Sequence, residues 1–376
     1  MKILFVGEAY GVSEDMFKSP FVGAAGRELA NMLSDAEIVS KPYKPFMTEL
    51  DMIRFWKNAA QENQIQLTNV FSEQPPDNNV EFFFDARSAD VCKEILPLKP
   101  GKYLKKNYEY YYKALHDLIL QSKPNLVVAL GVTAGWALTE RGNISEIRGT
   151  VFWSEKLKAK ILCTWHPAAV LRQWSLRSIT IADFIKARRE CEFPEIRKIT
   201  RRILVDPTLQ EIEEWLEVPA TAYAVDIETG YALFSKTEIA RLAKQAPDML
   251  RLLAGQISMV GFARSATEAM VIPFMARNAP GMNYWPHVQD EIRAMKLLQK
   301  GLASPIPKIF QNGLFDMNRL LCAGLRTYCA REDTMLKHHS LFPELQKGLG
   351  FLGSLYTDET SWKGMLKEGE SLKKDN

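Results

Sequence analysis

Four near-continuous apolar runs mark the first half of the chain: KILFVG at residues 2 to 7, IQLTNVF at 65 to 71, NLVVALG at 125 to 131 and KILCTWHP at 160 to 167. Each is short and bounded by turn-forming or polar residues, so each predicts a strand. Between them RELANML (27 to 33) and NYEYYYKALHDLILQS (107 to 122) carry apolar residues three and four apart, the period of helices packed by one face. Strands that are apolar on both faces and alternate with helices predict a parallel sheet covered on both sides. Residues 1–190 are therefore expected to form a doubly wound α/β domain with four parallel strands.

The pattern breaks over KARRECEFPEIRKITRR, residues 186 to 202, which is charged and interrupted by Pro194. It reads either as a solvated linker or as a basic strip against nucleic-acid phosphates. On both readings a domain boundary falls here, with 191–206 as the linker. A helix (207 to 217), a strand (221 to 229) and the strand pair ISMVGFARS and AMVIPF then precede KIFQNGLFDMNRLLCAG. That succession predicts an α+β domain with a mixed sheet over 207–376.

Composition narrows the class. The chain is 47% hydrophobic and 25% charged, which excludes a disordered or collagen-like protein, and its net charge of +3 is too small to argue for a polyanionic partner. Cys92, Cys163, Cys191, Cys322 and Cys329 show no CxxC spacing, so neither a zinc site nor a disulfide framework is indicated and a cytoplasmic location is expected. Met1 leads directly into the first strand, and no apolar run is long enough to span a membrane.

In a parallel sheet, Glu8 after the first strand, Asn69 near the end of the second and His166 after the fourth converge on one rim, where open α/β sheets bind ligands. A glycine-rich loop, PFVGAAG, surrounds an exposed-looking Phe21 and reads either as a tight strand-to-helix connection or as the wall of a pocket. In the second half, Asp226 and Glu228 of AVDIETG lie two apart on a strand and share a face, which suits a solvated edge or a site; Asp316 follows a strand and opens a helix.

GEAYG, PFVGAAG, TNVF with QPP close behind, PNLVVALG and TWHPAAVLR occur in the order and spacing of the uracil-DNA glycosylase superfamily, and residues 1–190 resemble its family 4 type. The resemblance implies a DNA repair hydrolase that flips uracil from the stack and cleaves its N-glycosidic bond. It implies uracil-binding roles for Gly7, Ala9, Phe21 and Asn69, with Phe21 as the stacking face and the Asn69 amide as donor and acceptor. It implies catalytic roles for Glu8, Glu14 and His166. The histidine would donate to uracil O2, while Glu8, or Glu14 with Asp15, would stabilise the cationic sugar or orient water. Arg172, which ends TWHPAAVLR, is assigned to DNA binding.

Two departures from family 4 carry expectations of their own. Glu73 stands where the asparagine motif would supply a cysteine, and the chain starts at the first strand, so no iron–sulfur cluster is expected. Tyr10 replaces the usual proline and sets a bulky ring at the pocket mouth. It favours the alternative of a non-catalytic uracil- or DNA-binding module.

Residues 200 to 365 resemble the DEDD-type 3′–5′ proofreading exonuclease domain, ribonuclease H-like in fold, of family A DNA polymerases; EDTMLKHHSLFPELQKGLGFLGSLY is similar to a helical stretch of the phage enzymes. The resemblance implies that Asp226, Glu228 and Asp316 hold Mg²⁺ or Mn²⁺, with His338 and His339 as surface or structural residues. The third motif, a Tyr followed four residues later by an Asp, is expected beyond TDETSWKGMLKEGE, where the sequence ends in SLKKDN. The expectation is thus the N-terminal part of a phage-type replicative polymerase in a bacterial host's cytoplasm, with weak or absent exonuclease activity. Its expected partners are DNA and a polymerase domain or continuing polypeptide.

Overall fold

The four apolar runs form the strands Ile3–Ala9, Ile65–Phe71, Leu126–Leu130 and Ala159–Thr164 of the computed structural model, which describes residues 2–42, 47–197 and 199–357. Their spatial order is Ile65–Phe71, Ile3–Ala9, Leu126–Leu130, Ala159–Thr164, all parallel. A fifth strand, Val151–Ser154, adds antiparallel at the edge, so the sheet has five strands and is mixed at one side, where four parallel strands were expected. Four residues with an exposed Trp153 among them are too short a run to show a strand period.

Alternate side chains of the sheet enter two cores. Ile3, Phe5, Val128 and Leu162 pack with Leu29 and Leu33 of the helix Ala24–Asp35, Phe55 and Trp56 of Glu49–Asn63, and Phe184 of Leu176–Glu190. On the other face Leu4, Val6, Val127 and Ile161 meet Tyr112 and Leu115 of Glu109–Ser122 and Trp136 of Val132–Thr139. Helices on both sides explain why the strands are apolar throughout. The helix Glu49–Asn63 begins at a capping box, in which Thr48 and Asp51 each accept the other's backbone amide. The register sets Gly7 beside Asn69 and Leu130 beside Thr164, which brings the carboxyl ends of the strands to one rim.

Two compact units divide the chain: Met1–Arg197 together with the stretch from Gly350 onward, and Lys198–Leu349. Two details differ from the sequence reading. The helix Leu176–Glu190 runs into the charged stretch and buries Lys186 there, so this part is neither a solvated linker nor a phosphate-facing strip. Residues from Gly350 group with the first unit, whereas the sequence assigned everything after 206 to the second.

In the second unit six strands follow the order Ala330–Asp333, Lys308–Phe310, Tyr223–Thr229, Ile257–Ala263, Glu268–Pro273, Arg202–Leu204. Pairing is antiparallel around Ile257–Ala263 and parallel at both sides, a mixed sheet. Arg202–Leu204, inside the expected linker, is its edge strand. Tyr223–Thr229 alternates: Tyr223, Val225 and Ile227 enter a core with Trp215, Phe262 and Leu298, while Asp226 and Glu228 stand on the exposed face. No described helix is long and apolar enough to cross a membrane.

Candidate functional site

At the rim of the first sheet a single missing side chain allows two others to meet. A Cβ on Gly7 would fall 2.2 Å from Asn69 Oδ1 and 2.5 Å from Phe21 Cζ, so only glycine leaves room for both. Asn69 is buried, yet its Oδ1 has no hydrogen-bond partner among the described residues. A buried amide oxygen left unpaired costs about 1–3 kcal/mol, which a ligand donor would recover. Ala9, in register with Phe71, closes the strand on this side.

Phe21, exposed-looking in the sequence, is only 3% exposed. Its backbone occupies the left-handed region at φ 57°, a strained place for a side-chain-bearing residue, worth about 1–3 kcal/mol. Two neighbours hold it there. Trp56 Nε1–H donates to the Phe21 carbonyl at 2.8 Å, and at Gly26 a Cβ would lie 1.8 Å from that same oxygen. The ring stands 6.0 Å from the His166 ring, centroid to centroid, inclined by 29°.

His166 caps the helix Pro167–Arg172: the Ala168 amide donates to Nδ1 at 3.1 Å. An accepting Nδ1 carries no proton in the neutral ring, so Nε2 carries it. Burial holds His166 below the usual histidine range, against the pull of Glu8 and with help from Arg172. The rim therefore offers a neutral N–H donor. Gly131, at φ 90°, permits the close approach, since a Cβ there would come 2.9 Å from His166 Cβ.

The carboxylates divide their work. Glu8 accepts from the Thr133 hydroxyl at the start of Val132–Thr139, which fixes it at the rim. Glu14 Oε1 accepts from the Val22 and Gly23 amides at 3.0 and 2.8 Å, clamping the PFVGAAG loop. Asp15 pairs outward with Lys18 at 2.8 Å. Arg172 is exposed at the end of its helix, next to exposed Leu171 and near exposed Trp174. Tyr10 is half-buried with its phenol bonded to Ser72, and burial raises its pKa. Trp56, Thr133 and Gly131 were missed in the sequence. Only the glycine and threonine following the strand in ALGVT gave a local signal.

In the second unit the buried Asp316 accepts from the Ile227 amide at 3.1 Å, which seats the helix Leu314–Cys322 against the strand between Asp226 and Glu228. Partial loss of water around the carboxylates raises all three acids, the buried Asp316 to about 6; Asp226 and Asp316 push Glu228 further up. They lie within electrostatic reach of one another. Their oxygens do not all approach within 4.8 Å: among the described residues the only His, Cys, Asp or Glu group that does is Cys92, Glu94 and Glu109 in the first unit. Three hard oxygen donors still fit the chemistry of a divalent ion, in an open arrangement and not a tight cage. Asp333, missed in the sequence, accepts from the Asn312 and Gly313 amides at 3.2 and 2.8 Å and fixes the turn before Asp316. His338 is buried and His339 exposed. The third motif was sought after residue 357, outside the described residues.

The donor set does not fit a four-thiolate iron–sulfur cluster. Cys163 lies within the strand Ala159–Thr164, Cys191 ends the helix Leu176–Glu190, and Cys322 and Cys329 belong to the other unit. Cys92 is grouped with carboxylates and no second thiol. Where a cluster cysteine was sought, Glu73 accepts from the Tyr111 hydroxyl at 2.9 Å, beside a stack of Phe71 on Phe83 with ring centroids 3.9 Å apart.

The model of the uracil DNA glycosylase superfamily matches residues 1–190. A type-4 uracil-DNA glycosylase of Archaeoglobus fulgidus is 29% identical over 197 residues, covering 50% of this chain and 77% of the relative. One of Sulfurisphaera tokodaii is 31% identical over 194 residues, covering 50% and 69%. Among solved structures, Brucella melitensis NrnC is similar at 20% identity with a TM-score of 0.26; the match covers 43% of this chain and 63% of that one, less than two thirds of its length. With the family model spanning half of the 376 residues, this chain belongs to the uracil DNA glycosylase superfamily.

Proposed function

We propose that the first unit is a uracil-DNA glycosylase that hydrolyses the N-glycosidic bond of uracil in DNA. The unpartnered Asn69 Oδ1, buried against Gly7 and Phe21, carries this reading. The similarity to type-4 uracil-DNA glycosylases supports it. Uracil offers a donor at N3 and an acceptor at O4, which the Asn69 amide complements; cytosine presents the reverse. Phe21 supplies the stacking face for a base that has left the duplex stack.

As the C1′–N1 bond breaks, negative charge gathers on uracil O2 and positive charge on the sugar. The neutral Nε2–H of His166 serves the first and the Glu8 carboxylate the second. Water then adds hydroxide to C1′, its proton passing to Glu8 or solvent. Glu14 acts by holding the Phe21 loop. Arg172 meets DNA phosphates at the mouth. The test treats uracil-containing single- and double-stranded DNA with the protein and then with alkali. Strand breaks at uracil support the enzyme. Tighter binding to uracil-DNA than to thymine-DNA without breaks would favour the binding module that Tyr10 suggests, and equal binding without breaks would remove the uracil reading.

For the second unit the seating of Asp316 on the Ile227 amide, between Asp226 and Glu228 on their strand, favours a ribonuclease H-like, metal-dependent nuclease acting on DNA 3′ ends. These residues would hold Mg²⁺ or Mn²⁺, which supply an activated water and stabilise the leaving oxygen. The second-half motifs and the three carboxylates support this reading, and the motifs support a polymerase domain as partner. Shortening of single-stranded 3′ ends by this chain alone is expected to be weak or absent; adding a polypeptide that carries the third motif should restore Mg²⁺-dependent shortening, which Asp226→Ala with Glu228→Ala should abolish. Robust shortening by this chain that is insensitive to both substitutions would relocate the site.

A further inference from the structure

The stretch from residue 350 reaches a buried polar network beneath the rim. Thr164 ends its strand two residues before His166 and donates to Asp183 Oδ2 at 2.6 Å. Asp183 also accepts from Arg148, through Nη2 at 2.5 Å and Nε at 3.2 Å. Arg148 Nη1 then donates to Ser354 Oγ at 3.0 Å, and the Phe351 ring lies 5.3 Å from the guanidinium. Lys186 Nζ donates to the carbonyls of Gly149, Ser354 and Thr357 at 2.6, 2.8 and 2.7 Å. Thr164, Asp183, Arg148 and Lys186 are all at most 3% exposed.

Buried ions are tolerated only where charge and hydrogen bonding are satisfied together. Among the described residues Arg148 pairs with Asp183, and residues 350–357 supply a hydroxyl to Arg148 and two carbonyls to Lys186. The carbonyls come from the C-terminal end of the helix Leu349–Tyr356 and the residue after it, where the helix dipole favours a cation. Position 149 leaves no room for a side chain. At φ 69°, a Cβ on Gly149 would meet Asp183 Oδ1 at 2.8 Å and Ser354 O at 2.9 Å.

We propose that residues 350–357 are a positioning element of the pocket, holding Thr164 through Arg148 and Asp183 and thereby fixing where His166 points. The kinetic part of the test rests on the glycosylase reading; the spectroscopic part does not. His166 faces Glu8 from the first strand, Glu14 from the short helix Val12–Phe17 and Arg172 from its own helix, and none of these is altered.

The experiment uses full-length protein carrying Thr164→Val or Ser354→Ala, with Thr164→Ser and Ser354→Thr as hydroxyl-retaining controls. Single-turnover uracil release is expected to fall roughly tenfold in the first two at unchanged DNA affinity, the scale of a slightly misplaced catalytic group. The ¹⁵N titration of the His166 ring should move up toward the ordinary histidine value as the ring gains solvent, and the controls should restore both. Equal rates and an unchanged titration, with only a lower melting temperature, would reduce the segment to a structural brace and overturn the proposal. If wild-type protein releases no uracil, the glycosylase reading fails, and the ring titration alone decides: a shift sustains the positioning role and no shift ends it.

Discussion

His166 combines burial with a capped Nδ1, and both bear on how the pocket titrates. On the proposed reading the ring is the donor to uracil O2, so His166→Ala should slow uracil release by about two orders of magnitude while the fold persists. Circular dichroism and single-turnover rates check both halves. Because burial depresses the His166 pKa, the neutral ring persists through neutral pH, and excision should hold level there and decline only as pH falls below about 6.5, the ordinary histidine value. Protonation would place a hydrogen on Nδ1 against the Ala168 amide. A decline beginning above that value would show a ring in water. Gly7→Ala forces Asn69 and Phe21 apart, overpacking that costs about 1–3 kcal/mol. Uracil release should be lost with a modest drop in melting temperature; normal release would mean that Asn69 does not read the base. The rim positions of Glu8, Asn69 and His166 were legible because strand ends in a parallel sheet are predictable places, whereas Gly7 was implied by the resemblance alone. Trp56 was not, since its bond to the Phe21 carbonyl spans 35 residues and serves a left-handed backbone that no local pattern announces.

At the scale of elements, uninterrupted apolar strands wrote the first sheet into the sequence, while Val151–Ser154 was hidden by its brevity. Arg202–Leu204 was hidden by charge, since an exposed edge strand needs no apolar face. In the second unit the strand Tyr223–Thr229 and the helix Leu314–Cys322 are joined by Asp316. Its carboxyl is raised to about 6 from an ordinary 3.8, so folding favours the protonated acid. The resulting stability is full below pH 3.8 and is lost as pH rises through about 6. Asp316→Asn should therefore flatten the fall in melting temperature over this window in chelator, and Mg²⁺ should stabilise the wild type at neutral pH without stabilising the variant. An unchanged pH slope in the variant would place the titrating group elsewhere.

For the molecule as a whole, the return of residues 350–357 to the first unit was the feature least legible in the sequence. Ser354 and Arg148 are 206 positions apart, and a serine in a short apolar helix signals nothing by itself. The cysteines also act at this scale. Spread over strand, helix end and both units, they predict a colourless protein without acid-labile sulfide, and stoichiometric iron on purification would contradict that. The rim geometry makes one demand of the entire chain: full-length protein mixed in excess with uracil-containing single-stranded DNA should release free uracil in a single turnover, and Asn69→Ala should abolish that release. Absence of free uracil from the wild type, or undiminished release by Asn69→Ala, would contradict a pocket built around the Asn69 amide.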